Sequence, residues 1–472
     1  MSNEIQKLPL REKIGYGFGD LASVLFWQTI MVYLLYFYTD VFGLTAKAAG
    51  LMFFISRVSD AIFDVVIGML ADRTKSRWGK FRPYILWGAV PLAVSAVLAF
   101  STPNFADAGK IVYAYITFIA FMFLYSTVNI PYTALLGVIS GDPVERADAA
   151  TSKFIGAFSA GIIVSATALP LAKYFGEGND AKGWHMTMMI YAVAAVVFLL
   201  ITFFSTRERI QPIAKEKTDV KRDLKDLSKN VPWILLFIVT ILFILFVCIR
   251  MNVTTYYFKY YVGEQEVTLF GTTHKYGFEV LASAFNTVGQ VLSLLGTAMI
   301  PLVVRFLGRK KAAIILFITA LICTGSFYFF KPENLVLIFV FQAVGSFVGG
   351  PISALFWIMY ADTADYSEWK TGRRATGLVF SASIMSNKLG WAIGSMVAAF
   401  ILAKTGFVAN VVQNINVLTG LKAMMSIIPV AVGVVALIIL MFFYKLDEST
   451  MTKVKADLEE RRKASGEGAA TA

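Results

Sequence analysis

Residues 45–83 read TAKAAGLMFFISRVSDAIFDVVIGMLADRTKSRWGKFRP. The part from 45 to 71 is long and apolar enough to cross a bilayer as a helix, which takes about 20 predominantly apolar residues. It stops on Asp72 and Arg73 and runs into Lys75, Arg77, Lys80 and Arg82. A basic run directly after an apolar one marks the cytoplasmic end of a span. Inside the apolar part, well past Lys47 at its outer end, stand three charges, Arg57, Asp60 and Asp64. A charge at mid-bilayer costs at least about 2.5–3.5 kcal/mol on insertion scales, so these residues are functional candidates from the outset.

Working outward, the same length rule gives twelve spans, near 16–39, 45–71, 83–101, 111–139, 150–173, 185–204, 232–260, 276–304, 312–330, 335–361, 375–403 and 422–444. Composition agrees: 57% of the residues are hydrophobic and 16% charged, against about 45–50% and about 25% in soluble domains. The net charge of +12 would suggest nucleic acid in a soluble protein. Here the Lys and Arg are concentrated in loops on one side, which places both termini in the cytoplasm and calls for lipid rather than nucleic acid as the partner. The first residues, MSNEIQKLPLREK, are polar and carry no cleavable signal. Cys248 and Cys323 lie in apolar runs and read as small buried hydrophobes. His185 and His274 have no partner at ligand spacing, so the only metal expected is Na⁺ as a transported ion.

The polar segment 205–231 divides the chain. The expected architecture is all-α, with a six-helix bundle over 1–204, a cytoplasmic central loop over 205–231, a second six-helix bundle over 232–445 and a cytoplasmic tail over 446–472. The loop after the second span carries Asp72-Arg73 and Gly79-Lys80, and the loop after the eighth carries Arg305, Gly308, Arg309, Lys310 and Lys311. Their matching places favour an internal repeat of the kind common in secondary transporters.

Arg57, Asp60 and Asp64 are spaced by three and four residues and so share one helix face. Asp60 precedes Asp72 by twelve residues, roughly 18 Å at 1.5 Å per residue, which is near the midplane. Two carboxylates one turn apart do not both ionise cheaply in a low dielectric. A cation or Arg57 compensates, or one acid stays protonated. Each option makes the charge of the site depend on what occupies it. The fourth span carries Tyr125, Ser126 and Asn129, with Ser126 and Asn129 on one face at similar depth. Their oxygens suit a hard cation or a sugar hydroxyl. Pro131 leaves the carbonyl of Thr127 without its amide.

Asn387 and Lys388 in the eleventh span are too deep for the lysine to snorkel to the interface. Lys153 sits early in the fifth span, and the first span adds Asp20, Trp27 and Gln28. The candidate ligand set is therefore Trp27, Gln28, Tyr125, Asn129, Lys153, Asn387 and Lys388, with Asp60, Asp64, Ser126 and Asn129 for the cation. Gly349-Gly350-Pro351 predicts a break in the tenth span. Beyond it, Asp362 and Asp365 precede Arg373 and Arg374, an acidic-then-basic stretch suited to pair with basic loops. Arg57, Asp72, Arg73, Asp362 and Asp365 form the expected gating set.

Several motifs resemble the glycoside–pentoside–hexuronide:cation symporter family, the melibiose permease group of the major facilitator superfamily. They are Tyr16-Gly17-Phe18-Gly19-Asp20, Tyr38-Thr39-Asp40, the stretch from Arg57 to Pro83, Asn129-Ile130-Pro131-Tyr132 and ADTADYSEWKTGRRATG from Ala361. The resemblance covers nearly the whole chain. It implies a monomeric twelve-helix carrier of the bacterial inner membrane that moves Na⁺, Li⁺ or H⁺ with a sugar by alternating access and uses no cofactor. It assigns the family's second-helix cation acids to Asp60 and Asp64, the fourth-helix positions to Ser126 and Asn129, the eleventh-helix lysine to Lys388 and the fifth-helix basic position to Lys153. Three positions depart from the melibiose permeases: Phe63 stands for Asn, Asn129 for an acid, and Val24 for the first-helix acid that binds sugar. Fewer oxygen ligands favour H⁺ over Na⁺.

Two other readings compete. Asp60 and Asp64 with Asp362 and Asp365 could hold Mg²⁺-diphosphate, as in membrane prenyltransferases with aspartate-rich motifs. That chemistry needs the acids at one aqueous surface, whereas Asp60 is near the midplane and Asp365 at the edge. The remaining reading is a sugar sensor built on the same helices without flux.

Overall fold

The computed structural model describes residues 7–140, 142–209, 227–269, 272–372 and 376–464. The described chain is helical apart from one short hairpin. The helices of the first half are α1 (Leu10–Tyr36), α2 (Ala46–Arg73), α3 (Arg82–Ala99), α4 (Asp107–Ile139), α5 (Pro143–Gly176) and α6 (Asp180–Ser205). They are followed by α7 (Val231–Tyr256), the hairpin β1 (Gln265–Leu269) and β2 (Thr272–Tyr276), α8 (Phe278–Ala298), α9 (Ile300–Leu307) and α10 (Arg309–Ser326). The last helices are α11 (Leu335–Thr371), α12 (Thr376–Thr405), α13 (Ile415–Met425), α14 (Ile427–Ile438) and α15 (Glu448–Ala464). Three π-helical turns extend α1 (Phe37–Val41), α7 (Tyr257–Val262) and α14 (Ile439–Phe443).

Side-chain caps start several helices where the sequence supplies them. Thr45 Oγ1 accepts from the Ala48 amide, Asp142 Oδ1 from the Val144 amide just ahead of Pro143, and Asn179 Oδ1 from the Lys182 amide. Among the described residues, ten helices are long and apolar enough to cross a membrane. α2 and α10 fall outside that group because of their charges: the Arg57, Asp60 and Asp64 cluster in one, and Arg309, Lys310 and Lys311 at the start of the other.

The twelve expected spans land on these helices, with corrections. Span 276–304 is two helices, because Pro301 opens α9 after the turn at Met299. The loop before it holds an antiparallel hairpin pairing Gln265 with Tyr276 through Leu269 with Thr272. The expected break at Gly349-Gly350-Pro351 is absent: α11 runs unbroken from Leu335 to Thr371. These glycines serve packing instead. A Cβ on Gly350 would lie 2.3 Å from the Ser293 carbonyl, and one on Gly296 would lie 1.8 Å from the Phe347 carbonyl. Small residues here let the backbones of α8 and α11 touch. α11 also continues past residue 361 and ends at Gly372, whose φ of 69° stops it. The tail from 446 forms α15, whose Met451, Val454 and Leu458 are buried.

The chain packs as two compact units. One comprises residues 1–214, 251–290 and 395–421; the other comprises 215–250, 291–394 and 422–472. The boundaries fall inside α7, α8, α12 and α13, so these long helices contribute to both. The core of the first unit is aromatic: Tyr33, Phe37, Phe100 and Trp184 pack at centroid distances of 4.9–6.3 Å. The core of the second centres on Phe243, Phe246, Phe317 and Phe356.

A repeated device closes one end of each unit. In the first, the Glu208 carboxylate accepts the amides of Lys80, Phe81 and Arg82 at 2.7, 2.8 and 3.0 Å. Gly79, with φ 104°, makes room for it, since a Cβ there would lie 2.4 Å from the carboxylate. In the second, Glu448 binds Arg309 through Nη2 at 2.8 Å, beside Gly308 with φ 72°. Each glutamate follows the last membrane helix of its half and grips the basic loop that the sequence places in matching positions.

Candidate cation and substrate site

α2 and α4 bring the principal candidates together in the first unit. Asp60 is 2% exposed and Ser126 3% exposed. Ser126 Oγ lies 2.9 Å from Asp60 Oδ1 and 2.8 Å from Asp64 Oδ1. A hydroxyl has one proton and donates to one carboxylate at a time. The second contact is favourable when its carboxyl is protonated and donates back to Oγ, or when a cation sits among the oxygens. The i, i+4 spacing of Asp60 and Asp64 puts both acids on the face of α2 that meets α4.

Arg57, one turn earlier, lies over the Trp27 ring at 4.4 Å, and its Nη2 donates to Met31 Sδ at 3.1 Å. Trp27 stacks on Tyr125 at 5.2 Å with 27° between the rings. Asn129 Nδ2 donates to the Tyr125 hydroxyl at 3.3 Å. A continuous layer thus runs Arg57, Trp27, Tyr125, Asn129, and the last two residues flank Ser126 on α4. Gln28 is half-buried beside Trp27. Phe63 packs edge-on against Phe123 at 5.1 Å, so it adds a ring where an amide would add oxygens.

Lys153 Nζ lies 4.0 Å from Asp20 Oδ1 and 5.4 Å from the centre of the Tyr132 ring. Tyr132 and Tyr16 stack at 4.8 Å, and each hydroxyl donates to the other's carbonyl, at 2.8 and 3.3 Å. The Asp20–Lys153 pairing joins α1 to α5, a contact that no local spacing reveals.

The second unit carries the remaining candidates. The Asn387 amide donates to the Ser383 carbonyl of its own helix at 3.3 Å. Lys388 is half-buried next to it on α12. Asp362 pairs with Arg309 Nη1 at 2.5 Å, and Arg309 also reaches Glu448. Asp365 lies one turn from Asp362 on α11. Arg73 is exposed at the end of α2. The side chain of Asp72, and Arg373 and Arg374 entirely, lie outside the described residues.

A bundle of membrane-crossing helices with buried acids facing a hydroxyl and an aromatic layer defines a polytopic carrier. The chain belongs to the MFS/sugar transport protein family, whose model matches residues 15–448. It is 34% identical to the inner membrane symporter YicJ of Escherichia coli (strain K12), over 98% of this chain and 97% of that protein. It is 36% identical to the isoprimeverose transporter of Lactiplantibacillus pentosus, over 96% and 92%. Among solved structures, a bacterial homolog of the human lysosomal transporter Spinster, in an inward-facing conformation, superposes with a TM-score of 0.70 at 13% identity, over 94% of this chain and 98% of that one. The major facilitator fold and the family expected from the motifs are both borne out.

Proposed function

We propose that the protein takes up a sugar or glycoside by alternating access, coupled to a cation bound by Asp60, Asp64 and Ser126. The observation that carries this reading is the single Ser126 hydroxyl within hydrogen-bond distance of two carboxylates. Such a group takes up one positive charge and releases it again with little rearrangement, as coupling requires. The names of the two relatives support symport and a sugar substrate. The Trp27–Tyr125 layer and Asn129 are the proposed sugar-facing groups, with Gln28, Lys153, Asn387 and Lys388 as further hydrogen-bonding partners. Arg57, Asp72, Arg73, Asp362 and Asp365 are the proposed gating residues. Residues 1–204 and 232–445 are the proposed moving halves, in a monomer with both termini in the cytoplasm.

The coupling ion is H⁺. Phe63 supplies no oxygen ligand, and a proton on one carboxyl lets it donate back to Ser126 Oγ at the ordinary hydrogen-bond distances of 2.8 and 2.9 Å. The test is a panel of glycosides and pentosides added to proteoliposomes while pH and Na⁺ are both followed. Alkalinisation of the outer medium on sugar addition, with little dependence on Na⁺, is expected. A large Na⁺ stimulation at constant pH would overturn the ion assignment.

A further inference from the structure

A densely bonded polar cluster of the first unit lies away from the candidate site, at the end of α1 opposite the chain terminus. Its centre is Asp40, whose side chain has no exposed surface. Lys259 Nζ donates to Asp40 Oδ1 at 2.8 Å, to the Asn410 side-chain oxygen at 2.7 Å and to the Tyr36 hydroxyl at 3.2 Å. The Tyr260 hydroxyl donates to the same Asp40 oxygen. Thr39 Oγ1 lies 2.8 Å from Asp40 Oδ2 and 2.7 Å from the Tyr256 hydroxyl. Asn410 returns two bonds: its Nδ2 donates to the Asp40 carbonyl at 2.7 Å, and its amide to the Tyr260 hydroxyl at 2.9 Å. Lys259 also lies over the rings of Tyr36 and Tyr260 at 5.0 and 5.1 Å.

Three segments distant in sequence meet here: the π-helical end of α1, the π-helical end of α7 and the loop before α13. π-helical turns are uncommon and gather at functional sites. They widen the helix and turn Asp40 and Lys259 toward each other. Asn410 adopts φ 59°, a conformation that asparagine tolerates better than most residues, and so presents amide and side chain to one cluster. A second tie lies in the same unit, where Lys173 of α5 meets Glu279 of α8 at 3.0 Å.

We infer that Asp40, Lys259, Tyr260 and Asn410 form a latch that holds the transport path shut on the side opposite the chain termini. The inference rests on alternating access. The Asp40 side chain has no exposed surface and that of Lys259 is 15% exposed, so losing either partner leaves a largely buried charge without its counter-charge. The cluster is therefore two-state: made as a whole or parted as a whole, which is what a gate needs.

The test measures accessibility, so it stands apart from whether sugar or proton moves. Thr255, buried one turn below Lys259 on α7, is replaced by cysteine in a Cys248→Ala, Cys323→Ala background. A membrane-impermeant thiol reagent is then applied from the side opposite the termini. Asp40→Asn and Lys259→Met are each expected to speed modification by at least about fivefold, the lower end of usual coupling between two states. The exchanged pair, Asp40→Lys with Lys259→Asp, is expected to slow it again. Asn410→Gly keeps the left-handed backbone while removing the side-chain bonds, and is expected to speed modification less. Unchanged rates in the single variants, or in Asn410→Gly should those not insert, would overturn the latch. So would an exchanged pair as fast as the singles.

Discussion

Ser126 is the residue on which the carboxylate pair turns. Its hydroxyl serves Asp60 and Asp64 alike, and a hydrogen bond to a charged group contributes about 1.5–3 kcal/mol. Ser126→Ala is therefore expected to weaken coupling, lowering the proton affinity or the rate of driven uptake by roughly ten- to hundredfold, with Ser126→Thr restoring most of it. The check is the pH dependence of sugar accumulation in the two variants. Equal profiles for Ala and wild type would remove Ser126 from the site. Much of this was legible in sequence: the i, i+4 acids, their depth from Asp72, and a polar triplet at matching depth on α4. Distance in sequence hid the rest. Asp40 and Lys259 are 219 residues apart, and neither lies far enough inside its span to stand out as a costly charge.

At the scale of elements, the glycines of α11 show where reading local signals failed. Gly349-Gly350-Pro351 looks like a helix break, since each residue weakens a helix on its own. The structure keeps the helix because Gly350 lets α11 lie against Ser293 of α8. Gly350→Val is expected to lower thermal stability in detergent by an amount typical of overpacking, about 1–3 kcal/mol, read as a drop in Tm. An unchanged Tm would mean that the crossing is loose. The α15 helix has a pH signature of its own. The Asp447 carboxylate is pushed down to about 2, by the Thr450 hydroxyl and amide first and the Ser449 hydroxyl next. A depressed acid stabilises the folded state above its unfolded value, near about 4, and that contribution is lost as pH falls through the folded value. α15 is thus expected to loosen between about pH 4 and about pH 2, and Asp447→Asn to flatten the transition. The anisotropy of a fluorophore on Lys453→Cys would report it, and a transition unaltered in the Asn variant would contradict the cap.

At the scale of the whole molecule, ten long apolar helices among the described residues, a family model over residues 15–448 and matching contacts at Glu208 and Glu448 describe a polytopic carrier. Hydropathy made the succession of long apolar helices legible, because the bilayer sets span length and leaves few alternatives. The way four of those helices divide between two packed units was not legible, since it depends on contacts between distant segments. The central claim is that Asp60 and Asp64 couple the sugar to the cation. The direct measurement compares sugar accumulation driven by an imposed proton gradient with sugar exchange at equilibrium, in proteoliposomes of wild type, Asp60→Asn and Asp64→Asn. Wild type is predicted to accumulate, and each variant to insert normally, lose accumulation entirely and retain measurable exchange. Concentrative uptake at wild-type level in either variant would contradict the account.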